Sequence, residues 1–267
     1  MILRSTRSAA LAVLAWVMLA APVRADDRFV RYEGRAVDLE AGTPVYDERH
    51  FVRLRADKVV ERVVLYLCPG TAEQAFARKR MEVGPDPLRP SFEMRDARLG
   101  YAEGLRENAG QLEVFYQRDR ASAEERETLV LPPELVADAG FDEFVRKHWD
   151  ELLRGDKVAF DFLVPSRLEY LSFKVRHLRE EKEAGRDAQV FRLSLSGVLG
   201  WFLDGIDVWY ATDDRSLLRF DGLSNVRNAE GDNYTARILF PADLKREEAD
   251  GSAQAAALAL PLVERCP

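Results

Sequence analysis

Residues 140–155 read GFDEFVRKHWDELLRG, and the reading of this stretch decides the fold. Phe141, Phe144, Val145, Trp149, Leu152 and Leu153 recur at helical spacing, with His148 on the same side. Asp142 and Glu143 fall in the first turn, where acidic side chains suit the positive end of the helix dipole, and Gly155 supplies a stop. The spacing predicts a helix over 140–155. Its apolar stripe is wide and aromatic, so it must bury against something large.

On both sides of this helix the chain alternates apolar and polar residues with period two, broken by turn signals, which is the signature of antiparallel strands. Before it, strands are expected from Phe29 to Ala36 and over Pro44–Arg55, Lys58–Leu67, Glu73–Val83, Ser91–Glu103 and Gln111–Arg118. After it, they are expected over Lys157–Val164, Leu168–Leu178, Gln189–Leu195, Ile206–Thr212, Ser216–Leu223 and Tyr234–Phe240, with linkers at Glu180–Asp187, Gly197–Gly205 and Asn228–Asp232. Ala253–Leu262 fits a short helix or a last strand. The expected fold is therefore mainly β: a large curved antiparallel sheet, or half-barrel, wrapped around the helix at 140–155, with residues 26–267 as one β-rich domain.

The chain opens with a leader. Arg4 and Arg7 precede the apolar run Ala9–Ala21 (AALAVLAWVMLAA), and Val23-Arg24-Ala25 fits a signal-peptidase site, so residues 1–25 are expected to be a cleaved signal peptide. The 13-residue run is shorter than the roughly 20 residues a membrane-crossing helix needs. No Cys follows it for lipid attachment, so a soluble periplasmic product is expected, not a lipoprotein. Cleavage would remove Arg4, Arg7 and Arg24 but no acid, moving the net charge from −7 to −10. That balance argues against nucleic acid and anionic lipid surfaces, both of which demand clustered cations.

A transmembrane barrel is disfavoured as well, because charge on a lipid-facing strand costs about 2–4 kcal/mol at mid-bilayer. One face carries Arg31, Glu33 and Arg35, or Asp47, Arg49, Arg53 and Arg55, while Glu48 and His50 interrupt the opposite face. The two cysteines, Cys68 and Cys266, are a candidate disulfide in an oxidising compartment, with two unpaired buried thiols as the alternative.

Motifs for chemistry are missing. The sequence holds no Gly-x-Ser-x-Gly elbow, His-Glu-x-x-His helix, P-loop or dinucleotide fingerprint, and neither cofactor nor metal is implied. His50, His148 and His177 are scattered without ligand spacing, so structural roles are expected for them. Asp204, Asp207, Asp213, Asp214 and Asp221 lie among aromatics and could form the carboxylate pair of an envelope-polymer hydrolase, but Asp204-Gly205 and Asp213-Asp214 read equally as turns.

The second half of the chain concentrates its aromatic residues. Trp149, Phe160, Phe162, Tyr170, Phe173, Trp201, Trp209, Phe220 and Tyr234 are the candidate ligand-contacting set, since alternate positions on neighbouring strands can line one concave face. The competing reading is an ordinary core filled by the helix.

Five stretches carry a resemblance: RYEGRAVDLEAGTPVYDERH (31–50), SFEMRDARLGYAEG (91–104), AGFDEFVRKHWDELL (139–153), FDFLVPSRLEYLSFKV (160–175), and LLRFDGLSNVRN with GDNYTARILFP (217–228 and 231–241). Together they resemble a group of uncharacterised proteobacterial periplasmic proteins, which implies location and one-domain architecture but no catalytic residue. The arrangement of strands around one helix also resembles, in topology alone, the half-barrels of lipoprotein-carrier (Lol-type) proteins. These readings converge on a protein that binds a hydrophobic ligand, lipid or lipoprotein-like, or an envelope partner. A hydrolase and a filled-core interaction domain are the alternatives.

Overall fold

Alternation dictates two faces, and the structure assigns them consistently across β1 (Asp27–Asp38), β2 (Pro44–Arg55) and β3 (Lys58–Leu67). Even-numbered residues such as Ala36, Tyr46, Val64 and Tyr66 turn to a concave inner face, while Phe51, Val63, Leu65 and Leu67 turn outward. The computed structural model describes residues 27–108, 111–130, 132, 134–197, 205–240 and 247–267; the leader expected at 1–25 lies outside them. Between β2 and β3, Ala56 and Asp57 both take positive φ (47° and 59°), the two-residue turn whose twist matches that of the flanking strands.

The sheet continues through β4 (Ala75–Glu82), β5 (Ser91–Asp96), β6 (Tyr101–Asn108), β7 (Gln111–Gln117), β8 (Glu125–Leu129) and β9 (Leu135–Val136). After the helical segment come β10 (Lys157–Val164), β11 (Glu169–Glu183), β12 (Arg186–Leu195), β13 (Ile206–Ala211), β14 (Leu217–Arg227), β15 (Asn233–Leu239) and β16 (Glu247–Ala249). They form one 16-stranded sheet in the order β8-β7-β6-β5-β4-β3-β2-β1-β15-β14-β13-β12-β11-β10-β9, with β16 beside β1. Neighbours are antiparallel except the short β9–β10 pair. The fold is thus the mainly β, curved and unclosed sheet expected from the alternation.

The sheet curls without closing, because its ends overlap. Leu135 of β9, Ala137 and Leu163 of β10 bury themselves against Met81, Phe92, Leu105, Leu112 and Val114 on the inner face of β4–β7. Apolar packing here takes the place of the hydrogen bonds a closed barrel would have, and it shields one sheet edge.

The segment expected as one helix forms two. α1 spans Gly140–Lys147 and α2 spans Trp149–Leu153, separated at His148 (φ −100°, ψ 14°). The curved surface beneath explains the change of direction. Phe141 and Phe144 pack on Phe160 of β10, whereas Trp149 packs on Phe191 of β12 and Tyr210 of β13. The entry into α1 requires glycine, since a Cβ on Gly140 would sit 1.9 Å from the Leu88 carbonyl oxygen.

Two further boundaries differ from expectation, and one open choice is resolved. Ser91–Glu103 divides into β5 and β6 at a turn where the Asp96 carboxylate accepts the Arg98 N–H at 2.9 Å and Gly100 takes φ 72°. The 180–187 linker is instead the tip of a long hairpin, closed by Ala184 and Gly185 at positive φ. The undecided C-terminal stretch is a helix, α3 (Gly251–Ala259), capped by Asp250 accepting from the Ala253 N–H at 3.0 Å. It lies on the outer face, over Phe51, Val63, Leu65 and Leu67. Beyond it a disulfide joins Cys266 to Cys68, with Cα atoms 5.5 Å apart.

Candidate ligand-binding cavity

The helical segment does not fill the inside of the curl. A cavity of about 420 Å³ remains between two walls of opposite chemistry, within the roughly 300–1,000 Å³ range of small-molecule sites.

The first wall is apolar and comes from the C-terminal half of the sheet. Phe162 of β10 and Phe173 of β11 meet edge to face with centroids 5.8 Å apart, and Ile206 and Val208 of β13, Phe220 of β14 and Phe240 beyond β15 continue the surface. Gly34 makes room for that last ring, since a Cβ there would come within 2.5 Å of Phe240.

The second wall is polar and comes from the N-terminal half, where ionisable residues occupy inward positions. Register places Glu103, Lys79 and His50 along one line across the sheet: Glu103 pairs with Met94, Met94 with Lys79, Lys79 with Val64, and Val64 with His50. Glu48 sits two residues from His50 on the same face, and Asp138 and Asp142 join from the approach to α1 and from its first turn.

Nearly all of these groups have partners. His50 Nε2 donates to the Glu48 carboxylate at 2.7 Å while its ring stacks on Tyr32, centroids 4.4 Å apart. Lys79 donates to Asp138 at 2.6 Å, Tyr101 OH to Glu103 at 2.6 Å and Tyr210 OH to Asp142 at 2.7 Å. Burial lowers the His50 pKa below the ordinary imidazole value despite the opposing Glu48 contact, so the ring is neutral near pH 7. Burial also raises the Glu103 carboxyl, only partly countered by the Tyr101 hydrogen bond.

Arg62 stands apart. It occupies an inward position of β3 opposite Met81, and its Nε is buried without an acceptor. Burial works against its charge, but the fields of Tyr32, Asp142, Asp138 and Glu143 outweigh that and raise its pKa.

The candidate aromatic residues separate into distinct environments. Phe162, Phe173 and Phe220 line the cavity. Phe160 and Trp149 belong to the packed core around the helices. Trp209 faces outward: its indole N–H donates to Glu181, and the Arg219 guanidinium lies 4.1 Å over its ring. Tyr170 is on the exposed outer side of β11, and Tyr234 packs beside Tyr46 with centroids 6.1 Å apart. Trp201 lies outside the described residues. The misplacements at Trp209 and Tyr170 are errors of phase, since their neighbours Tyr210 and Phe173 point inward. Sequence reasoning missed Arg62, Lys79, Glu103, Asp138 and Asp142, although each was signalled by a charge near or within an apolar alternation.

Of the carboxylates proposed for a hydrolase, Asp207 and Asp221 are cross-strand partners on β13 and β14, but each is held by arginine. Asp207 accepts two hydrogen bonds from Arg192, both at 2.6 Å. Asp213 and Asp214 both pair with Arg186. Burial would raise the Asp221 pKa, but hydrogen bonds from Arg219 and Arg237 outweigh it and hold the carboxyl below its ordinary range, the reverse of a general acid's need. Asp204 lies outside the described residues. The histidines hold local contacts: His148 Nδ1 bonds Glu151 at 2.9 Å, and the His177 ring lies against Phe191. Among the described residues, no group of three or more His, Cys, Asp or Glu is placed to hold a metal, and no helix is long and apolar enough to cross a membrane.

Comparison with known proteins gives little beyond this. No protein-family model and no curated protein matches the chain. Among solved structures, it is similar to a β-barrel-like protein of a domain of unknown function, DUF1849, from Brucella abortus, at 9% identity over 85% of this chain and 100% of that one, with a TM-score of 0.48.

Proposed function

We propose that this protein is exported to the periplasm and binds a hydrophobic, lipid-like ligand inside the curled sheet without transforming it. The cavity itself carries the reading. A core filled by the helices would leave no such space, and the Phe162–Phe173–Phe220 wall offers an apolar ligand a concave, aromatic surface. The signal-like leader, the resemblance to uncharacterised periplasmic proteins and a disulfide suited to an oxidising compartment support the location.

Narrowing the cavity tests the binding. Val208→Trp, placed on the apolar wall, is expected to abolish uptake of a fluorescent fatty-acyl probe while the far-ultraviolet dichroism stays that of the parent. Uptake unchanged by this variant would refute the site. Location is checked by fractionation and N-terminal sequencing, with a mature chain beginning at Asp26 expected and one beginning at Met1 contradicting export.

A further inference from the structure

Within that reading, we infer that the ligand is a single-chain amphiphile with an oxyanionic head, a carboxylate or a phosphate, which the Arg62 guanidinium receives while the chain lies on the Phe162–Phe173–Phe220 wall. The inference rests on which charges in the polar wall are already engaged. Glu48 is taken by His50, Asp138 by Lys79, Glu103 by Tyr101 and Asp142 by Tyr210. Arg227, the other arginine at the cavity, donates to the Gly231 carbonyl oxygen at 2.6 Å and stacks over Tyr101.

Arg62 has neither a hydrogen-bonded nor an ion-paired partner among the described residues. A buried donor left without an acceptor is costly, and the unmet Arg62 Nε beside the cavity calls for a partner that the described side chains do not supply. Arginine is also the side chain best shaped to hold carboxylate or phosphate through two parallel hydrogen bonds. The four acids around the cavity do not compete for it, since none comes within 4 Å and each is held by a donor of its own. Their charge repels an anion throughout the cavity, and among the described residues Arg62 is the cation there without an engaged acceptor to receive the head group. The volume suits one hydrocarbon chain, not a bundle of them.

The test measures binding to the delipidated full-length mature protein by calorimetry, using dodecanoate, dodecyl phosphate, dodecanol and inorganic phosphate as probes. An anionic head should tighten binding about tenfold to a hundredfold over dodecanol, the worth of a charge-assisted hydrogen-bonded contact. Of the two anionic probes, the tighter identifies the head group. Arg62→Met should reduce that ligand to the affinity of dodecanol and leave dodecanol unchanged. Arg62→Lys, which keeps the charge but loses the fork, should retain part of the preference. Equal binding of dodecanol and both anions, or an anion preference that survives Arg62→Met, would overturn the inference and leave hydrophobic binding standing. Inorganic phosphate binding as tightly as dodecyl phosphate would overturn it in favour of a small-anion site. Binding of no chain-bearing probe would defeat the proposed function itself.

Discussion

The two halves of the sheet share one curvature and one alternation, yet they present opposite chemistry to the interior. From β10 to β15 the inward positions carry Phe162, Phe173, Val208, Phe220 and Ile238, while from β2 to β6 they carry Glu48, His50, Arg62, Lys79 and Glu103 among apolar neighbours. The α1–α2 segment packs on the aromatic half, through Phe160, Phe191 and Tyr210. Period-two alternation fixes which side chains turn inward, and residue type decides whether that face becomes core or site. Where the inner face buries mainly carbon, as around Phe160 and Phe191, the helices fill it, whereas paired charges resist apolar filling and space is left beside them.

The largest way to break the comparison is to remove the aromatic half's anchor. Trp149 is almost fully buried between Phe191 and Tyr210, so Trp149→Ala is expected to cost about 3–5 kcal/mol in chemical denaturation. A small loss of stability together with altered ligand uptake would mean that the helix is a lid.

The next effect lies on the other half. Cys266→Ala frees the tail that holds α3 over the outer apolar face of β2–β4, and should cost about 2–4 kcal/mol. No change in the denaturation midpoint would show that α3 docks without the crosslink.

A smaller effect reports on the polar wall. The His50 pKa is lowered in the folded state, so the unfolded chain takes up its proton first. The stability this neutral ring secures is complete above the unfolded value of about 6.5 and is lost as pH falls through that value toward the folded one. His50→Gln should therefore flatten the stability profile between about pH 7 and pH 5. An unchanged slope would place the titration elsewhere. Smallest of all, Asp207→Asn breaks only a partly exposed pair with Arg192 and should cost no more than about 1 kcal/mol. A loss of any envelope phenotype in this variant would revive the hydrolase reading.

Much of the fold was legible, and the reasons can be traced to particular strands. β2, β3 and β10 have the bounds that alternation and the flanking turn residues predict. The end of β11 was hidden: Arg179–Glu183 projects into solvent with polar residues on both faces, so it carries no period. The break at His148 was hidden for another reason, since helical spacing runs through it and only the curvature of the sheet below requires a turn. Around the cavity, aromatic content points to the half that forms the apolar wall but not to the phase that separates Trp209 from Tyr210. The polar wall is hard to read because charge on a strand ordinarily marks a solvent-facing side, and only breaks such as Glu48 and His50 in an apolar face signal it. Arg62 in VVERVVLYL, lying in phase with Val64 and Tyr66, was the readable exception.

The claim that the unlike walls enclose a ligand is tested most directly by native mass spectrometry of the protein purified from its own envelope. A lipid-like mass released by organic extraction is predicted, bound to the parent and absent from Val208→Trp. The bare chain mass for the parent, with no acyl probe taken up afterwards, would contradict the account.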